Sequence, residues 1–270
     1  MRLTSVFLAT LISAIAGSAA AQEPVPPHET FTLHSAALGE VRRINVYTPP
    51  GYAVDGAARF GVLYMPDGGL EEDFPHVVAT VDSAIRAGEM RPVLVVGIEN
   101  TERRRDMTGP TTVAKDSTIA PRVGGSAAFR RFIGRELMPE VRRRYRVTDE
   151  TAIIGESLAG LFVVETFLEQ PELFDTYVAL SPSLWWNGEA LVRSAADRLR
   201  ARPDLHAALY VASAGDDVGP EAARLAEILR ADAPAGLHWE YRSRPDLTHA
   251  TIYRAEAPRV LREWLPAVRQ

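Results

Sequence analysis

The stretch "TAIIGESLAGLF" (residues 151–162) sets a serine among small residues, straight after one apolar run and straight before another. "TAIIG" (151–155) has the apolar, β-branched character of a buried strand, and 158–169 reads as a helix, so Ser157 falls where one becomes the other. Strand, then G-x-S, then helix is the setting of a nucleophile elbow. There a strained turn lifts the serine hydroxyl above the carboxyl edge of a sheet. Such a turn crowds its neighbours, and Gly155, Ala159 and Gly160 supply the small residues it needs. The strict G-x-S-x-G pattern wants glycine at 159; here it comes one residue later. Taken alone, Ser157 is equally a helix cap.

Working outward, "VRRINVYTPPGY" (41–52) alternates apolar and polar residues and closes on Pro49-Pro50-Gly51, a strand and a turn. "FGVLYMPDGG" (60–69) and "PVLVVGIEN" (92–100) are buried strands with an amphipathic run at 74–88 between them, one βαβ unit. Residues 101–125 form a polar loop, and 126–145 a helix with Pro139 as a candidate kink. Further strands fit 176–182, 206–215 and 237–245, with helices near 189–201, 220–232 and 256–264. Strands alternating with helices predict a mostly parallel sheet covered on both faces.

That order gives Ser157 its partners. After strand 206–215 comes "GDDVGP", offering Asp216 and Asp217; after strand 237–245 comes "DLTHATIY", offering His249. Serine, then acid, then histidine, each beyond a strand's carboxyl end, is the chain order of this kind of triad. Asp217 is the preferred acid and Asp216 the second choice, although "GDD" is also an ordinary turn. His206 and His238 lie in or at strands, and His28 and His34 near the amino end. His76 follows "EEDFP", but no H-x-H or H-E-x-x-H pairing supports a metal, and no cofactor is expected.

Composition bounds the setting. Arg2 precedes an apolar stretch ending at Ala19-Ala20-Ala21, an A-x-A cleavage pattern before Gln22, so residues 1–21 read as a cleaved signal peptide. The apolar run is short for a membrane span of about 20 residues. Residues 22–29 are expected to be a flexible leader and 30–270 one domain; about 250 mature residues suffice for a single large α/β core. Export to the periplasm or beyond implies an oxidising compartment, yet the chain has no cysteine, hence neither a disulfide nor a lipid-anchored cysteine. The net charge is −5 and Lys115 is the only lysine, so the basic face of a nucleic-acid binder is missing. No stable membrane insertion is expected after signal cleavage, and the partner expected is a small-molecule ester.

"GESLAGLFVVETFL", "SPSLWWN" and "IENTERRRDMTGP" together resemble the putative-esterase branch of the α/β-hydrolases, the siderophore-esterase and esterase-D type. The resemblance runs over roughly residues 30–265. It implies an α/β-hydrolase fold and a serine carboxylic-ester hydrolase, with siderophore esters of the enterobactin type as one substrate class. It also implies a histidine from a late loop, matching His249. Members vary in the acid, and some work as a serine–histidine dyad, which leaves the aspartate open. Feruloyl, acetyl or other carbohydrate-ester hydrolysis and acyl transfer use the same nucleophile and base; a non-catalytic periplasmic binder is the alternative from another class.

The expected chemistry places oxyanion donors at the backbone N–H of Leu158 and in "PDGG", at Gly69 or else Gly68. Trp185 and Trp186 are candidate aromatic walls or else core residues. Arg103 and Arg105 are candidate anion-binding residues or else internal salt-bridge partners.

Overall fold

The computed structural model describes residues 25–216 and 220–267. The expected signal segment, residues 1–21, and the preferred acid Asp217 lie outside the described residues. Eight strands form one sheet in the order β1-β2-β4-β3-β5-β6-β7-β8. These are β1 (His28–Ser35), β2 (Glu40–Tyr47), β3 (Phe60–Met65), β4 (Val93–Ile98), β5 (Val147–Glu156), β6 (Thr176–Leu180), β7 (Ala207–Ala214) and β8 (Leu237–Arg244). The first two pair antiparallel, and β2 pairs antiparallel with β4; every later pairing is parallel. The mostly parallel α/β sheet expected from the sequence is the one observed.

Alternation along the strands sorts side chains to two cores. Val62 and Tyr64 of β3 face one, Leu63 and Met65 the other. On the second face lie α1 (Phe74–Arg86) and α8 (His249–Trp264), which bury Phe74, Val77, Val81, Ile252 and Val260. The opposite face holds α3 (Ser126–Phe132), α4 (Met138–Arg144), α5 (Leu158–Glu169), α6 (Trp186–Arg200) and α7 (Glu221–Asp232). Helix α5 is buried along nearly its whole length, which is why its sequence is apolar on every side.

Three expectations change. β1 begins at His28, so the sheet takes in two residues assigned to the leader; His28 pairs with Tyr47 and Glu29 with Val46. The expected helix 126–145 is broken by a π-helical turn at Ile133–Leu137, just ahead of Pro139. Proline has no N–H to give the carbonyl four residues back, and a wider turn absorbs that loss. Helix α8 starts at His249, seven residues earlier than expected, because Thr248 and Thr251 cap it reciprocally.

The polar segment after β4 contains the short helix α2 (Arg103–Asp106) and a turn at Asp116–Thr118. It is tied to the sheet by Arg42 of β2, which is fully buried. Arg42 donates to Asp106 at 2.5 Å, to Glu40 and Thr101 at 2.9 Å, and to the Glu99 carbonyl, with its guanidinium over the rings of Phe129 and Phe132. Arg42→Met leaves the buried Asp106 carboxylate without its main counter-charge. The expected loss is about 3–5 kcal/mol of unfolding free energy, read as a lower denaturation midpoint in urea.

Candidate active site

Ser157 sits between the end of β5 and the start of α5 with φ 59° and ψ −120°, a left-handed conformation that a non-glycine residue adopts only under constraint. The constraint is visible. Its N–H donates to the Leu180 carbonyl at 3.0 Å, and its carbonyl accepts from Ser183 at 3.0 Å and Leu161 at 2.9 Å. The small neighbours have separate duties. A Cβ at Gly155 would lie 2.7 Å from the Ala159 carbonyl carbon and 2.8 Å from its Cβ. A Cβ at Gly160 would lie 3.0 Å from the Leu180 oxygen and 3.1 Å from Pro182. The close approach to β6 thus falls one residue later than in the strict motif, and Ala159 fits because Gly155 makes room for it.

His249, first residue of α8, brings Nε2 to 3.0 Å from the Ser157 hydroxyl oxygen. The two groups lie ninety-two residues apart in sequence, joined because β5 and the start of α8 share the sheet's carboxyl edge. Asp216, the second-choice acid, accepts the backbone N–H of His249 at 2.6 Å. It therefore anchors the helix start that carries the ring.

Glu156, which the sequence pattern does not single out, lies beside this pair. Glu156 Oε1 is 3.1 Å from His249 Nε2, the same nitrogen that faces the serine. Burial pushes the Glu156 carboxyl up to about 7; His249 and Arg103 draw it back down, while Asp73 and Asp67 push it further up. The signal was the acid directly before the serine in "GES".

The loop after β3 closes the other side. Asp67, buried and at φ 55°, receives Arg103 through Nε at 2.6 Å and a terminal nitrogen at 2.8 Å, and accepts Asn100 Nδ2 at 2.6 Å. Arg103 also reaches the Glu156 carbonyl at 3.5 Å, linking this loop to the elbow. Leu158 is the first residue of α5, so its N–H is among those no helical carbonyl can accept. The Gly69 N–H donates to Glu72 Oε2 at 2.6 Å, and the Gly68 N–H to the Ile98 carbonyl at 3.0 Å. An oxyanion using Gly69 must displace the Glu72 carboxylate.

The expected pocket residues divide. Arg103 is committed to Asp67, and Arg105 to Glu40 at 2.8 Å and Asp106 at 2.7 Å, so both are internal partners rather than free anion receptors. Arg104 between them is exposed and forms no ion pair among the described residues. Trp186 is buried, with its indole N–H donating to the Gly109 carbonyl at 2.9 Å; it is a core residue, and Trp185 is the half-buried one of the two. His76 is buried against the Tyr253 ring and lies 3.7 Å from Asp73. Burial pushes its ring down to about 4, so this contact is not an ion pair at neutral pH. Among the described residues no group of three or more His, Cys, Asp or Glu could hold a metal ion, and no helix is long and apolar enough to cross a membrane.

The strand order, the elbow and the late histidine define the α/β-hydrolase class. Solved structures agree in fold. An IroE-like serine hydrolase from Shewanella oneidensis superposes with a TM-score of 0.80 at 24% identity, over 88% of this chain and 80% of that one. The BES protein from Bacillus cereus gives 0.78 at 18% identity, over 97% and 100%. The family model Esterase, described as "Putative esterase", matches residues 35–231, and the chain belongs to that family. Among curated relatives, the ferri-bacillibactin esterase BesA of Bacillus subtilis is 35% identical over 150 residues, 48% of this chain and 50% of that protein. The iron(III) salmochelin esterase of Escherichia coli is 28% identical over 173 residues, 61% of this chain and 38% of that protein. The chain thus spans half or less of the length of these two relatives.

Proposed function

We propose that the protein is an exported serine carboxylic-ester hydrolase working through an acyl-enzyme, with siderophore esters as its substrate class. The observation that carries this reading is the 3.0 Å approach of His249 Nε2 to the Ser157 hydroxyl on a left-handed strand-to-helix turn. His249 removes the hydroxyl proton as Ser157 attacks the ester carbonyl, then delivers it to the departing alcohol; water repeats the cycle on the acyl-enzyme. Asp217 is the acid this reading assigns to orient the imidazole. The N–H groups of Leu158 and Gly69 stabilise the oxyanion once Glu72 has moved aside.

The substrate class rests on two supports. The relatives named above are siderophore esterases. Beside Arg103, a groove lined by Glu102, Arg104, Arg105, Pro121 and Arg122 offers the exposed guanidinium of Arg104 to an anionic ferric catecholate, while Arg105 and Arg122 are paired with carboxylates. Export rests on the amino-terminal pattern from Arg2 to Ala21.

An organophosphate should label the purified protein once, on the peptide containing Ser157; a label on any other residue counts against the mechanism. Hydrolysis of linear and cyclic catecholate esters should outpace that of plain aryl esters in kcat/KM. The reverse order removes the siderophore assignment and leaves the esterase.

A further inference from the structure

Glu156 Oε1 is buried and accepts no hydrogen bond from any described group. A buried acceptor left unmatched is costly, and the cost is greater for a carboxylate. The atom lies 3.1 Å from His249 Nε2. For Ser157 to donate its hydroxyl proton, the resting Nε2 must present its lone pair, and it then has no proton to offer Glu156. It acquires one only after taking the proton of Ser157. An ionised Glu156 is thus matched in the charged state of the ring and mismatched in the neutral one.

We propose that Glu156 is a positioning residue whose carboxylate holds the His249 imidazolium through the Nε2–H gained from Ser157. The inference rests on the serine-hydrolase reading above. The proton passes from the serine oxygen to Nε2 as the new C–O bond forms. It stays on the ring while shared with Glu156 Oε1, and leaves with the alcohol when the ester C–O bond breaks. Glu156 itself neither gains nor loses a proton in this cycle.

The main chain fixes the carboxylate well. Glu156 ends β5 in register with Leu180, and its carbonyl accepts from Arg103. The ring stands at the first turn of α8, where the helix dipole disfavours a cation, so a nearby negative charge has something to offset. Among the described residues, the charged and titratable groups facing Glu156 are His249 and Tyr253 of α8, Arg103 of α2, and Asp67 and Asp73 around the β3–α1 loop. Asp216 stands behind the His249 main chain.

An ionised neighbour favours the imidazolium, and only the neutral imidazole is a base, so Glu156 keeps the enzyme inactive up to a higher pH. Protonated Glu156 acts in the same direction, because its O–H competes with Ser157 for the Nε2 lone pair. Glu156→Gln should therefore move the acid limb of kcat/KM about one pH unit lower, the low end of the effect of an adjacent charge because the ring is half exposed. The plateau should fall about ten-fold, the rate equivalent of one such unit in the transition state.

The second measurement needs no turnover. In Ser157→Ala, the His249 ring proton titration followed by NMR should have a midpoint about one unit above that of Ser157→Ala/Glu156→Gln. Equal midpoints, or a Glu156→Gln acid limb coincident with that of the unchanged protein, overturn the proposal. An absence of Ser157-dependent hydrolysis would instead overturn the serine-hydrolase reading, while the NMR comparison still tests the Glu156–His249 pairing.

Discussion

Ser157→Ala is expected to lower kcat for a short p-nitrophenyl ester by about a million-fold, the scale seen when a serine hydrolase loses its nucleophile. Substrate binding should change little, because the hydroxyl is a small part of the surface a substrate meets. The fold should be untouched as well. The elbow is held by backbone bonds, from Ser157 N–H to Leu180 and from Ser183 and Leu161 to its carbonyl, and alanine keeps all three. Alanine at φ 59° bears the same strain as serine. Steady-state kinetics beside a thermal melt separate the two effects. Equal rates in the two proteins would end the serine mechanism.

Gly155→Val should have a large structural effect on the elbow. Its added side chain would meet the Ala159 backbone at 2.7 Å and the Ala159 Cβ at 2.8 Å, on elements with nowhere to go. Ala159 lies in the first turn of the buried helix α5, and β5 is flanked by β3 and β6. Overpacking of a close-packed interior costs about 1–3 kcal/mol, and a clash against backbone belongs at the upper end. A lower thermal midpoint is expected together with lost activity, since any relief of the clash tilts the turn carrying Ser157. Gly155→Ala should show the same signs at smaller size. A Gly155→Val protein with unchanged melting and turnover would contradict the packing described for the elbow.

The parallel sheet was legible because its strands are buried on both faces and read as unbroken apolar runs, such as 60–65 and 93–98. Ser157 and His249 were legible because both follow strands. β1 was not, since its one-sided burial and proline-rich approach look like a leader. The start of α8 was missed because "DLTHATIY" has turn composition, and only the Thr248–Thr251 pairing makes it a helix. The roles of Arg103 and Arg105 hinge on Asp67 and Glu40, thirty-six and sixty-five residues away, which local pattern does not register. Trp186 was ambiguous for a like reason: its indole partner, Gly109, comes from a distant loop. Glu156 was visible in "GES", but its meaning depends on which nitrogen of the ring it faces.

Among the described strands β8 forms an edge of the sheet, yet its charged residues are paired: Arg242 with Glu240 at 3.1 Å, and Arg244 with Asp246 at 2.7 Å and with Glu256 of α8. A stray strand seeking to zip onto this margin would have to strip those ions of their counterparts and dry them. The molecule thereby guards this rim against fibre-like growth with charge.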